Sequence, residues 1–302
     1  MHGKYSFWLR LTACLLVGLA ITSYLIPSAD RGEDWTPLFG VLGGISNILL
    51  TLSLLVINTK SVNNVFNPAL SASFFLFIVL LDPAASYFSP VHPAVLLFIL
   101  GQYCFISDRK FASMFFLSCS ALCYAPLVWV LPLVLVISII GAADFFRVLI
   151  KQLGGILMPF MYMMCYRYMA YSDALVYAED YLNRAMEFSS PMHSANFVSI
   201  FLLLSICVVA IDSISYMFRK IHKNNIITDH ILKMEFMSLL LGAAVFFLFA
   251  GNGDVPLNML VALPLSILMS HYFTGNINAA TARGELIILY CAAIISRLYY
   301  FI

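Results

Sequence analysis

The 302 residues are 62% hydrophobic and 10% charged, where a soluble globular chain sits near roughly 45–50% and about 25%. No water-facing fold buries so large a share, and no long polar stretch leaves room for a separate soluble domain, so a single integral membrane domain over residues 1–302 is expected. A formal net charge of +1 with scattered basic residues offers no patch for nucleic acid.

A bilayer core about 30 Å thick asks for roughly 20 apolar residues per helix, and only helices satisfy their own backbone hydrogen bonds inside it. Apolar segments at Phe7–Ile26, Leu38–Ile57, Pro68–Phe88, His92–Ile106, Phe111–Tyr124, Ala125–Ile140, Leu149–Tyr166, Phe197–Met217, Phe236–Ala250, Val255–Tyr272 and Leu286–Ile302 predict an all-α polytopic transmembrane bundle of about 11 membrane-embedded helices. The first segment follows His2, Lys4 and Arg10 and lacks a small-x-small cleavage site, so it reads as a retained signal anchor. From Phe111 to Ala142 the chain is nearly continuously apolar apart from Tyr124-Ala125-Pro126. Proline forbids an unbroken helix there, and two short helices meeting at a tight turn are predicted. In the polar stretch from Tyr171 to Pro191, Leu175, Ala178, Leu182 and Met186 return to one helical face behind Asp173, a capping residue type. An outer interfacial helix over 173–188, apolar face down, accounts for that spacing.

Orientation follows from lysine and arginine, which short cytoplasmic loops retain. With the N-terminus cytoplasmic, the inner segments collect Lys4, Arg10, Lys60, Arg109, Lys110, Arg147, Lys151, Arg219, Lys220, Lys223, Lys233 and Arg283. Only Arg31, Arg167, Arg184 and Arg297 fall on or near the other side. An odd number of crossings then leaves the C-terminus outside, in a multi-pass protein of the cell inner membrane. The seven cysteines all lie in apolar segments without a CxxC pair or a neighbouring His, so they read as small hydrophobes and no metal site is expected. Glycines at 40, 43 and 44, and at 154 and 155, read as points of close helix approach in lipid.

Ionisable residues within the membrane are costly and therefore functional candidates. Asp212 lies inside Phe197–Met217, within one to two helical turns of Arg219 as an ion-pair partner. Arg167 and Arg297 stand near outer helix ends, where they can snorkel or meet a lipid phosphate. On the outer side Asp30, Glu33, Asp34, Asp82, His92, His193 and Asp254 are candidates to line one cavity. Such carboxylates can serve as a general base toward a sugar or lipid hydroxyl, or hold a divalent cation if they converge. The competing account is that outer loops are acidic because positive residues are excluded from them. Absence of GxxxxGK[ST], HExxH, GxSxG and CxxC removes support for ATP-driven transport, zinc proteolysis and hydrolase-elbow chemistry, and no cofactor is evident.

Phe111-Ala112-Ser113 through Tyr124-Ala125-Pro126 to Trp129-Val130-Leu131-Pro132, then Leu153-Gly154-Gly155-Ile156-Leu157-Met158-Pro159 and the earlier His92-Pro93, resemble an uncharacterised multi-pass inner-membrane protein family of the Bacteroidetes. More distantly, a first outer loop bearing acids, short paired spans and a Gly-rich helix ending in proline are similar to GT-C type polytopic glycosyltransferases, which use polyprenyl-phosphate sugars. That resemblance implies Asp30, Glu33 and Asp34 at the position of the catalytic acid and a polyprenyl-phosphate lipid as partner. It departs from the family in the first outer loop, which runs only from Pro27 to Pro37 and has no room for interfacial helices. Either the helix at 173–188 substitutes for them or the chain is a reduced, non-catalytic relative.

Three readings follow. The first is an enzyme acting on a polyprenyl-phosphate-linked sugar at the outer face, with Glu33 or Asp34 as base. The second is a carrier or flippase for a lipid-linked or amphiphilic substrate, drawing on Asp212 and Arg167 for substrate or proton contacts. The third is a non-catalytic assembly subunit among membrane lipids, whose polar residues only orient it.

Overall fold

The computed structural model describes residues 37–61, 68–80, 85, 87–140, 144–188, 197–220, 226–249, 257–275, 284–289, 291–292 and 294–295. All regular structure among these residues is helical. In chain order the helices are α1 (Pro37–Ser61), α2 (Pro68–Leu80), α3 (Val91–Ile106), α4 (Lys110–Cys123), a 3-10 turn (Ala125–Trp129), α5 (Val130–Ile140), α6 (Phe145–Tyr171), α7 (Ala174–Met186), α8 (Phe197–Lys220), α9 (Ile226–Phe249) and α10 (Asn258–Gly275). Helical residues recur at 284–289. The predicted first helix, Phe7–Ile26, lies outside the described residues.

The chain divides into two compact units. In the first, α2 packs against α1 and α10, and α10 also packs against α8. Phe74, Phe75, Leu263 and Leu268 are among its buried side chains, and Phe74 stacks on Phe273 at 5.2 Å. Polar groups are placed where a backbone would otherwise go unsatisfied. The last carbonyls of α2 have no partner within the helix, and the Asn258 amide, at the start of α10, donates to the carbonyls of Ile78 (3.1 Å) and Val79 (3.3 Å). The buried Asn47 amide of α1 donates to the Ala85 carbonyl at 2.7 Å. Gly242 of α9 lies so close to α10 that a Cβ there would stand 2.8 Å from the Leu260 carbonyl oxygen.

In the second unit α4 packs against both α3 and α6. Small residues set both contacts, as expected where helices must approach without a water-driven force. A Cβ on Gly101 would stand 2.8 Å from the Leu117 side chain, and one on Gly155 would stand 2.5 Å from the Phe111 carbonyl oxygen and 3.1 Å from the Phe115 nitrogen. The Ser120 hydroxyl adds a 2.6 Å bond to the Ala94 carbonyl. Gly155 thus plays the packing role expected of it, whereas a Cβ on Gly154 or Gly40 would make only ordinary contact, with the Phe111 ring at 3.5 Å and the Tyr87 ring at 3.9 Å.

The chain leaves helical geometry at Tyr124, which is extended (φ −137°, ψ 103°), and the 3-10 turn holding Pro126 separates α4 from α5. That is the break predicted from Tyr124-Ala125-Pro126. α6 spans 27 residues, about 40 Å at 1.5 Å per residue, and extends beyond the predicted Leu149–Tyr166 at both ends. Phe146, Ile150, Met161, Tyr162 and Met169 are exposed along it. α9 begins at Ile226 and not at the predicted Phe236. Asp229, His230, Lys233 and Glu235 interrupt hydropathy without interrupting backbone hydrogen bonding, so the helix runs through them. Phe145–Tyr171 and Leu232–Phe249 are long and apolar enough to cross a membrane.

Candidate functional site: a carboxyl pair against Tyr272

The site lies in the first unit and is built from α8, α10 and the helical residues after 284. On α8, Val209, Ser213 and Met217 are buried. Asp212 borders that face and is half-buried. Four residues on, the Tyr216 ring meets the Tyr272 ring edge-on, with centroids 5.6 Å apart, and stands equally far from the His271 ring. His271 and Tyr272 are consecutive on α10 and both buried. The Tyr272 hydroxyl donates to Glu285 Oε1 at 2.8 Å.

Glu285 is only 7% exposed. Its second oxygen, Oε2, accepts from no donor. Glu285 stands one residue before the last apolar segment.

Arg219 is exposed and its Nε donates to the Ser215 carbonyl of its own helix at 3.3 Å, so no ion pair joins it to Asp212 among the described residues. A second buried acid, Glu235 of α9, is 2% exposed and its Oε2 has no hydrogen-bond partner.

The other predicted residues are placed as follows. His92 is buried near the start of α3 among Val91, Ala94 and Val95. Arg167 of α6 turns back to Asp173, 2.8 Å away, and its guanidinium lies over the rings of Tyr171 (4.9 Å) and Tyr177 (4.7 Å). Asp173 occupies the N-cap position of α7 without making a side-chain cap; its Oδ2 pairs with Arg167 and its Oδ1 has no hydrogen-bond partner. Asp30, Glu33, Asp34, Asp82, His193 and Asp254 lie outside the described residues.

Sequence reasoning passed over Glu285, Tyr272, His271 and Glu235. The available signal was position: Glu285 immediately precedes the apolar run from Leu286, and Glu235 precedes the run from Phe236. Both were taken as boundaries, although at helical spacing an acid at the edge of an apolar run shares a face with buried residues. No protein family, curated protein or solved structure matches the chain.

Proposed function

We propose that the protein is a multi-pass carrier of the inner membrane for an amphiphilic or lipid-linked substrate, with the Asp212–Glu285–Tyr272 centre as its working polar group. The observation that carries this reading is the Glu285 carboxyl, buried and bonded to Tyr272, whose ring meets Tyr216 one turn along α8 from Asp212. Acids held inside an apolar bundle are expensive, and in pumps and transporters they mark ion and substrate paths. A scaffold gains nothing from them, since well-packed apolar replacements of buried charged groups are often neutral or stabilising. The glycosyltransferase alternative places its base at Asp30, Glu33 or Asp34, outside the described residues, and only the resemblance to that family supports it.

In this reading about 11 helices are embedded, the N-terminus is cytoplasmic and the C-terminus is outside. α7 rests in the outer interface, and membrane lipids are its immediate partners. Purified protein in liposomes carrying a fluorescent polyprenyl phosphate tests the function, with leaflet exchange followed by a membrane-impermeant quencher. Exchange should exceed that of protein-free liposomes and fall back to their rate in the Asp212→Asn, Glu285→Gln double variant. If the folded native protein leaves this probe, and a fluorescent phospholipid tested alongside it, at the protein-free rate, the carrier reading is wrong.

A further inference from the structure

We infer that the elbow between α6 and α7 binds the zwitterionic headgroup of a phosphatidylethanolamine, whose phosphate takes the place of Asp173 beside Arg167 and whose ammonium takes the place of Arg167 beside Asp173. The site rests on α6 spanning the bilayer and not on the carrier reading. From Arg147 to Arg167 the helix advances about 20 residues, roughly 30 Å at 1.5 Å per residue, which is the thickness of a hydrocarbon core. With Arg147 at one interface, Arg167 stands at the headgroup level of the other. Tyr166, Tyr168 and Tyr171 are exposed around it, as tyrosines are where a span meets the headgroups.

Ser172 turns the chain between the two helices in the left-handed region (φ 56°). Across that turn Arg167 Nη2 meets Asp173 Oδ2 at 2.8 Å, and the guanidinium lies over the ring faces of Tyr171 and Tyr177. Each partner keeps an unmet group: Arg167 Nε has no acceptor and Asp173 Oδ1 has no donor among the described residues. The pair thus closes one of the two bonds that an arginine fork can make to a carboxylate. The two side chains are 29% and 33% exposed, and an ion pair so open to water contributes little to stability, so a better-matched partner can separate it. A bare donor beside a bare acceptor calls for one ligand that carries an acceptor and a donor together. Phosphate oxygens accept from the whole guanidinium edge, while an ammonium donates to both carboxylate oxygens and is drawn to tyrosine faces. The quaternary nitrogen of choline has no N–H to offer Oδ1. Charge points the same way, because α7 is acidic: Arg184 is paired with Asp180 at 2.9 Å, and Glu179 and Glu187 remain exposed. A net-negative headgroup would be repelled there, whereas a zwitterion adds no net charge. Met169, Leu175 and Val176, exposed on either side of the turn, give the acyl chains apolar surface.

Native mass spectrometry of the purified full chain in detergent reads this site without transport, by titration with phosphatidylethanolamine, phosphatidylcholine and phosphatidylglycerol of identical acyl chains. Phosphatidylethanolamine should bind about tenfold tighter than either of the others, the difference that one charge-assisted hydrogen bond makes. Arg167→Gln and Asp173→Asn should each bring it down to the phosphatidylcholine level, whereas Asp180→Asn on the same helix should leave the preference intact. Equal binding of the three lipids, tightest binding of phosphatidylglycerol, or a folded Asp173→Asn variant with full preference would overturn the inference. Displacement of the bound lipid by inorganic phosphate alone would overturn it too, by making the elbow a simple anion site. If Arg167→Gln does not elute as one folded species, Asp173→Asn and the lipid comparison in the native chain still decide. A protein that shows the preference yet moves no lipid in liposomes keeps this site and loses the carrier reading, so the two proposals fail separately.

Discussion

Gly155 and Gly101 make the same kind of contact with α4 at different cost. A methyl at Gly155 would drive into the Phe111 carbonyl and the Phe115 nitrogen, both backbone atoms, whereas one at Gly101 would chiefly meet the Leu117 side chain, whose tip can rotate. Overpacking that the structure cannot relieve costs typically about 1–3 kcal/mol. Gly155→Ala should therefore lower the thermal unfolding midpoint in detergent clearly more than Gly101→Ala. An equal or reversed order would mean that α6 and α4 are not held at backbone contact distance. The same scale explains Asp173. A capping residue type stands at the cap position, yet its Oδ2 makes a charge-assisted contact with the Arg167 guanidinium 2.8 Å away and its Oδ1 makes no cap.

At the scale of elements, α7 is docked by its polar backbone contacts and not by its apolar stripe. The Trp129 indole donates to the Ala185 carbonyl at 3.0 Å, and the buried Tyr181 hydroxyl donates to the Ala121 carbonyl at 3.0 Å. Leu175, Leu182 and Met186 remain exposed, the face that an interfacial helix would present to lipid. Burial, then the neighbouring Tyr177, pushes the Tyr181 hydroxyl above the ordinary tyrosine range, against a smaller opposing effect of Arg184. A tyrosine raised in this way stabilises the fold in its neutral form. That contribution is complete below the unfolded value of about 10 and is lost as pH rises through the folded value. The unfolding midpoint should accordingly hold from neutrality to about pH 10 and decline above it, more steeply in the native protein than in Tyr181→Phe. Parallel declines in the two would remove Tyr181 from the docking contact.

Across the whole molecule, the helical class and most boundaries were legible because both follow from local rules. Hydropathy located α3 and α4 to within a residue or two, and proline located the break after Tyr124. The cluster of Tyr216, Tyr272 and Glu285 was not legible. Its members are far apart in sequence, and no periodicity in either segment reports which helices will be neighbours. Asp212 was visible as a costly residue but was assigned to Arg219, the nearest base along the chain, because sequence distance was the only distance at hand. Topology is the molecular-scale expectation still to be measured. Alkaline phosphatase joined after Ile302 should be active outside the cytoplasm, and a cytoplasm-dependent fluorescent protein joined before Met1 should be bright. The opposite pair of signals would invert the orientation derived from lysine and arginine.

The amide of Asn258 closes the end of α2 from 180 residues downstream. At synthesis rates of about 5–20 residues per second, the carbonyls of Ile78 and Val79 wait roughly 10–40 s on the ribosome for their partner. During that interval α2 has left the translation machinery but cannot be finished. A nascent chain stalled before residue 258 therefore lacks the donor that closes α2, so a helix made late in synthesis completes one made early.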